Sequence, residues 1–169
     1  SSGSNTQFDA INKKLDMTTE SQENKINVDQ AIELLLSSSH GINSCWSSFI
    51  KEEYGNDYAE NREDLIDVIT LVDYIVGKLK EGKTDDFRNF FSAIEQVLEN
   101  GDDAARELMI VGIIEGLQNN CGLENIEYHT TFNQWLMPKT QKTWDGLIYL
   151  WESNDSMEEK QEKLKDFKL

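Results

Sequence analysis

Two histidines, His40 and His129, and two cysteines, Cys45 and Cys121, are the side chains of this 169-residue chain best suited to hold a transition metal. Their spacing argues against a site. No pair has zinc-finger separation, HExxH is missing, and both histidines fall in expected loops. Each cysteine has apolar neighbours and neither belongs to a CxxC, so both are expected as reduced, buried thiols. Cys45-Trp46 superficially looks like a protease nucleophile, but Cys45 lies on the stripe Ile42, Cys45, Trp46, Phe49, Ile50, which makes it a core residue. GxSxG and any telling Ser–His pairing are absent. Gly77-Lys78 and Gly82-Lys83 lack Walker spacing and a preceding strand. No catalytic residue, metal or cofactor is therefore expected, and the chain reads as a non-enzyme.

Carboxylates are the remaining chemistry. Thirty-two Asp and Glu face sixteen Lys and Arg, a formal charge of −16. Such a charge repels nucleic acid and anionic membrane and attracts basic proteins. The excess is concentrated: Glu52 to Asp73 holds eight acids and one base, Arg62. Like charges so crowded repel one another, and a cationic partner would relieve them. The expected partner-binding surface is Glu53, Tyr54, Asp57, Tyr58, Glu60, Glu63, Asp64 and Asp67, with the two tyrosines as anchors. A second acidic ridge runs over Glu99, Asp102, Asp103 and Glu107. A hydrolase built from carboxylates and a divalent ion is disfavoured, because the Glu-x-x-His pairs of helical di-metal sites are missing.

Helices must carry these residues. Pro138 is the single proline, so long helices are unobstructed. Asn27 and Gln30 have capping-box spacing ahead of a first helix through Leu36. Ser37 to Gly41 breaks it. The Ile42–Ile50 stripe forms a second helix, ending near Gly55. A third carries Leu65, Ile69, Val72, Ile75, Val76 and Leu79, widened by Ile66 and Val68, and stops at Gly82. Thr84 is expected to cap a fourth, with Asp85 and Asp86 in its first turn and Phe87, Phe90, Phe91, Ile94 and Leu98 buried. A fifth, about 103–119, is apolar on nearly every side and so central; Gly112 and Gly116 would let neighbours approach closely. Phe132, Trp135 and Leu136 suggest a short helix. After Pro138 comes a helix with Trp144, Leu147, Ile148 and Trp151 on one face, and Ser156 and Glu159 open a charged last helix. Ile126 to Thr131 is the one weak strand candidate. The expected fold is all-α, a compact bundle of six to seven helices. Residues 1–26 read as a tag remnant (Ser1 to Ser4) and a mobile extension in which Phe8, Ile11 and Leu15 have helical spacing and Met17 could be an internal start. Residues 27–152 form the domain, and 153–169 a charged helix or tail. No signal peptide or membrane-spanning run is expected, which suggests a cytoplasmic protein.

Three blocks carry a resemblance: the FxxFFxxIEQVLENGD pattern (Phe87 to Asp102), ARELMIVGIIEGLQN (Ala105 to Asn119), and W-L-x-P…TWDGLIYLW (Trp135 to Trp151). With the upstream Cys45-Trp46 and the helix ending at Gly82, residues 30–152 resemble an uncharacterised family of small acidic bacterial helical domains. Its small members look like immunity proteins of polymorphic toxin systems. The resemblance implies an inhibitor that occludes a cognate basic toxin domain, monomeric when free, with no catalytic residues to carry over. A non-catalytic regulatory or adaptor domain is the alternative.

Overall fold

The computed structural model describes residues 24–167. The readings placed on residues 1–23, including Phe8, Ile11 and Leu15, lie outside them. The capping box forms as the spacing predicts. Asn27 Oδ1 accepts from the Gln30 amide at 2.9 Å, and Gln30 Oε1 accepts from the Asn27 amide at 3.0 Å. This opens α1 (Val28–Leu36). Ser39 caps α2 (His40–Tyr54) through the Ile42 amide, at 3.2 Å, so His40 begins a helix rather than sitting in a loop.

Two short helices, α3 (Tyr58–Asn61) and α4 (Asp64–Asp67), precede α5 (Ile69–Glu81). The single helix expected over this stretch is broken at Val68 (φ −67°, ψ −11°). The break turns Val68 into the core beside Leu71, Val72, Ile75 and Val76 and leaves Leu65, Ile66 and Ile69 facing solvent. Gly82 ends α5 in the left-handed conformation (φ +71°), where a side chain would be strained.

Helix α6 (Phe87–Asn100) starts later than expected. Asp86 is the residue before it, and Thr84 only closes a turn, its carbonyl accepting from the Phe87 amide. Asp102 then caps α7 (Asp103–Glu107) through the Ala105 amide at 2.8 Å. The rod continues as a π-helix over Leu108–Ile114 and as α8 (Glu115–Leu123). It is the central element: Met109, Ile113, Ile114 and Leu117 are fully buried against α5, α6 and α9 (Pro138–Glu152). Gly112 and Gly116 face α5. A Cβ on Gly112 would lie 2.8 Å from Val68 Cγ2, and one on Gly116 3.2 Å from Val72 Cγ2.

An aromatic seam joins α6, the loop after α8, and α9. Ring centroids are 5.4 Å apart for Phe90–Phe91, 5.8 Å for Phe91–Phe132, 5.0 Å for Phe132–Trp144 and 4.9 Å for Phe87–Trp135. Each fully buried ring contributes about 1.5–3 kcal/mol of apolar burial. Glu95, buried in α6, caps α9 from the side. Its Oε2 accepts from the Lys139 amide at 2.9 Å, and its Oε1 from the Thr140 amide and hydroxyl at 2.8 Å each. Phe132 to Leu136 forms turns, not a helix, and Trp151 is 64% exposed rather than core because the last turn of α9 faces solvent.

The charged segment after Glu152 is docked. Helix α10 (Met157–Leu164) is capped by Ser156, and Lys160 Nζ donates to the Leu150 carbonyl at 3.0 Å. A 3₁₀ turn, Lys165–Phe167, follows. Among the described residues there is no strand. Ile126 to Thr131 is loop, and the one β-bridge joins Ile26 to Gly101, so Ile26, expected in a mobile extension, is bonded to the domain. The fold is an all-α compact bundle, with the Asp103–Leu123 rod at its centre.

Candidate partner-binding surface

The acidic run occupies the end of α2, the α3 and α4 turns, and the break into α5. Glu53, Asp57, Glu60 and Glu63 are exposed; Tyr54, Tyr58 and Asp64 are half-buried. Asp67 is corrected: it is 1% exposed and no partner can reach it. Its Oδ1 accepts from the Tyr54 hydroxyl at 2.6 Å and its Oδ2 from the Glu63 amide at 3.0 Å. Asp67 is thus a brace that ties the end of α2 to the start of α4. The hydrogen bond to Asp67, helped by burial, pushes the Tyr54 hydroxyl up to about 12.

Arg62, the lone base of the run, is consumed internally. It pairs with Asp29 at 2.7 Å and Asp64 at 2.8 Å, and its guanidinium lies 5.0 Å over the Tyr58 ring. Tyr58 in turn packs on Tyr54 (5.5 Å) and Trp46 (6.2 Å). The tyrosines therefore support their own domain first and offer only part of each ring to a partner. The exposed carboxylates are left with no cation from within the run to neutralise them.

Beside this surface runs a groove of about 490 Å³. Leu65 and Ile66 of α4 form one wall, Ala104, Glu107 and Leu108 the other, and Val28 lies at one end. Glu63 and Asp64 rim the first wall. The two acidic stretches seen in the sequence, Glu52–Asp73 and Glu99–Glu107, therefore meet across one apolar floor. Sequence reasoning missed the floor. Periodicity places Leu65 and Ile66 on the core face of one long helix, and nothing local marks the break at Val68 that exposes them.

The other candidates form no chemical centre. Among the described residues, no three His, Cys, Asp or Glu side chains are arranged to hold a metal ion. Cys45 and Cys121 are free thiols; burial pushes Cys121 up to about 11, and Cys45 Sγ lies 3.8 Å from the Thr70 carbonyl. His129 clamps a loop. Its Nε2 meets Glu152 Oε2 at 2.8 Å, its Nδ1 meets Glu127 Oε1 at 3.1 Å, and it stacks on Tyr128. The hydrogen bond to Glu152 outweighs partial burial and raises the imidazole above its ordinary 6.5. For Glu127 partial burial works the other way, but is outweighed by donors from Thr130, His129 and Thr131, which hold its carboxyl at about 2. No helix is long and apolar enough to cross a membrane among the described residues.

Comparison with curated proteins and with solved structures finds no match. A family model matches residues 32–152, from α1 through the end of α9. The matched span holds the whole aromatic seam and the whole lining of the groove except Val28. The chain belongs to the family described as Domain of unknown function (DUF7674).

Proposed function

We propose that this protein is a non-catalytic inhibitor of the immunity type, which binds a basic cognate toxin domain of bacterial origin and occludes it. The single observation that carries this reading is the uncompensated carboxylate surface at the end of α2 and on α3 and α4. Its only arginine is held by Asp29 and Asp64, so the field of Glu53, Asp57, Glu60 and Glu63 is directed outward. Opposed charge steers encounter and lifts association above the neutral value of about 10⁵–10⁶ M⁻¹s⁻¹. Occlusion needs no reaction, in keeping with the non-enzyme reading. The protein acts in the cytoplasm, as a monomer when free, without nucleic acid or membrane.

The test is co-expression with the product of the gene directly upstream. Rescue of growth and co-purification are expected. Association should slow with added salt, and slow several-fold when Glu60 and Glu63 are both changed to Lys. Asp67 is unsuitable for such a variant, since reversing it would break the brace. Absence of rescue, or binding indifferent to salt, would overturn the reading.

A further inference from the structure

Four large aliphatic side chains are exposed where α4, the start of α5 and the π-helix meet: Leu65 at 43%, Ile66 at 59%, Ile69 at 46% and Val111 at 44%. They are half of the large hydrophobic residues exposed among the described residues, and the three elements that carry them contact one another. Leu65 and Ile66 line the groove directly. Ile69 begins α5 just past the break at Val68, and Val111 lies three residues beyond Leu108 in the π-helix, so both lie outside the groove's own lining. An apolar strip rimmed by polar groups on a highly charged protein marks a recognition site. The groove's volume would also suit a small molecule, but its polar rim offers the carboxylates of Glu63, Asp64 and Glu107 and no Lys or Arg. A small neutral ligand would lack placed donors to orient it.

We propose that this groove seats an amphipathic helix of the partner, with aliphatic side chains on the floor and Lys or Arg against Glu63 and Glu107. The inference deepens the binding reading above and rests on it for the partner's charge. A helix laid in a groove uses anchors at i, i+3, i+4 and i+7, and the walls offer them an apolar floor: Leu65 and Ile66 opposite Ala104 and Leu108. Charge complementarity selects the occupant: carboxylates on both rims favour a cationic segment and exclude an acidic one. The second wall ends at Leu108, where the π-helix begins, and such segments are frequent at functional sites. Asp67 is the positioning residue. By holding Tyr54 and the Glu63 amide it fixes the turn that presents Leu65 and Ile66.

The probe is a synthetic three-turn helix of Leu and Lys, Leu on one face, with a scrambled control of equal charge. Amide shifts at Leu65, Ile66, Ile69 and Val111 should move with the amphipathic peptide and not with the scrambled one. Leu65→Ser and Ile66→Ser remove apolar contact without changing the charge; both sites are exposed, and thermal unfolding checks that the fold is kept. Each should weaken the peptide by about tenfold or more, the loss from withdrawing part of one aliphatic side chain. Equal binding by Ile66→Ser, with weakening only by Glu53→Lys and Glu60→Lys, would sink the groove and leave the acidic surface standing. Tighter peptide binding after removal of residues 1–23 would make that segment the occupant and overturn the proposal. Groove shifts that depend on protein concentration without peptide would make a second copy the occupant, with the same result. Failure of growth rescue alongside a seated peptide would refute the toxin reading but not the groove.

Discussion

Gly112→Ala and Gly77→Ala make the same chemical change in two different surroundings. Both glycines lie in helical segments, and Ala is favoured over Gly there by about 1 kcal/mol. A Cβ on Gly77 meets nothing within 4 Å, so Gly77→Ala should stabilise by about 0.5–1 kcal/mol. On Gly112 the new carbon would lie 2.8 Å from Val68 Cγ2, 3.4 Å from Leu108 Cδ1 and 3.6 Å from Leu65 Cδ2. Val68 is fully buried and β-branched, so it cannot swing away. Overpacking of this kind costs about 1–3 kcal/mol. The propensity gain is common to both variants and cancels in their difference. Gly112→Ala should therefore be less stable than Gly77→Ala by about 1–3 kcal/mol, or very roughly 2–12 °C in Tm for a domain of this size. Urea unfolding at constant m-value measures the gap. Adding Val68→Ala to Gly112→Ala should cost less than Val68→Ala alone, because the carbon it removes is the obstacle. Equal stability of the two alanine variants would refute the close crossing of the central rod and α5.

Glu95→Ala should destabilise by about 2–4 kcal/mol in chemical unfolding, because the Lys139 and Thr140 donors lose their buried acceptor; Glu95→Gln, which keeps one acceptor, should fall between. The His129 clamp should depend on pH with a definite sign. The folded imidazole titrates above its ordinary 6.5, so its contribution is complete below pH 6.5 and fades as pH rises through the raised value. Protection factors of the Thr130 and Thr131 amides, which divide out the intrinsic rise of exchange with pH, should fall over that range, and His129→Gln should remove the trend. Cys121, fully buried and titrating near 11, should resist alkylation at neutral pH until the protein unfolds, as mass-spectrometric labelling across a denaturant series would reveal.

Where local chemistry decides an element, the sequence was readable. Asn27 with Gln30, Asp102, Ser156, Gly82 and Pro138 mark helix ends within a few residues of their own positions, and the structure uses them there. The apolar girdle of Leu108 to Ile114 announced a central helix. What was hidden depends on residues distant in sequence. Asp67 looked like its acidic neighbours, and its burial follows from Tyr54 thirteen positions earlier. Leu65 and Ile69 fit the helical period as well as Val72 does, and only the one-residue break at Val68 separates them from the core. Thr84 is a good capping residue by type, yet Asp86 precedes the helix. Of the binding surface, the carboxylates could be read; the groove could not, because its walls come from segments about forty residues apart.

The widened turn at Leu108–Ile114 holds the two halves of the Asp103–Leu123 rod in a particular phase. A wide turn differs from an ordinary one by a single residue's worth of chain. Loss of one codon between Leu108 and Ile114 would take out that extra residue and let the rod close to uniform pitch with its halves near their present phase, whereas one codon gained in the regular turns on either side would spin its leading half by about 100° against its trailing half. Met109 and Leu117 cannot both keep their seats after such a rotation, and Ala104 and Glu107 would swing off their wall. Length around this segment is therefore less free to grow than composition is to drift: an aliphatic exchange is a repacking problem, whereas an added residue redirects one whole side of the molecule.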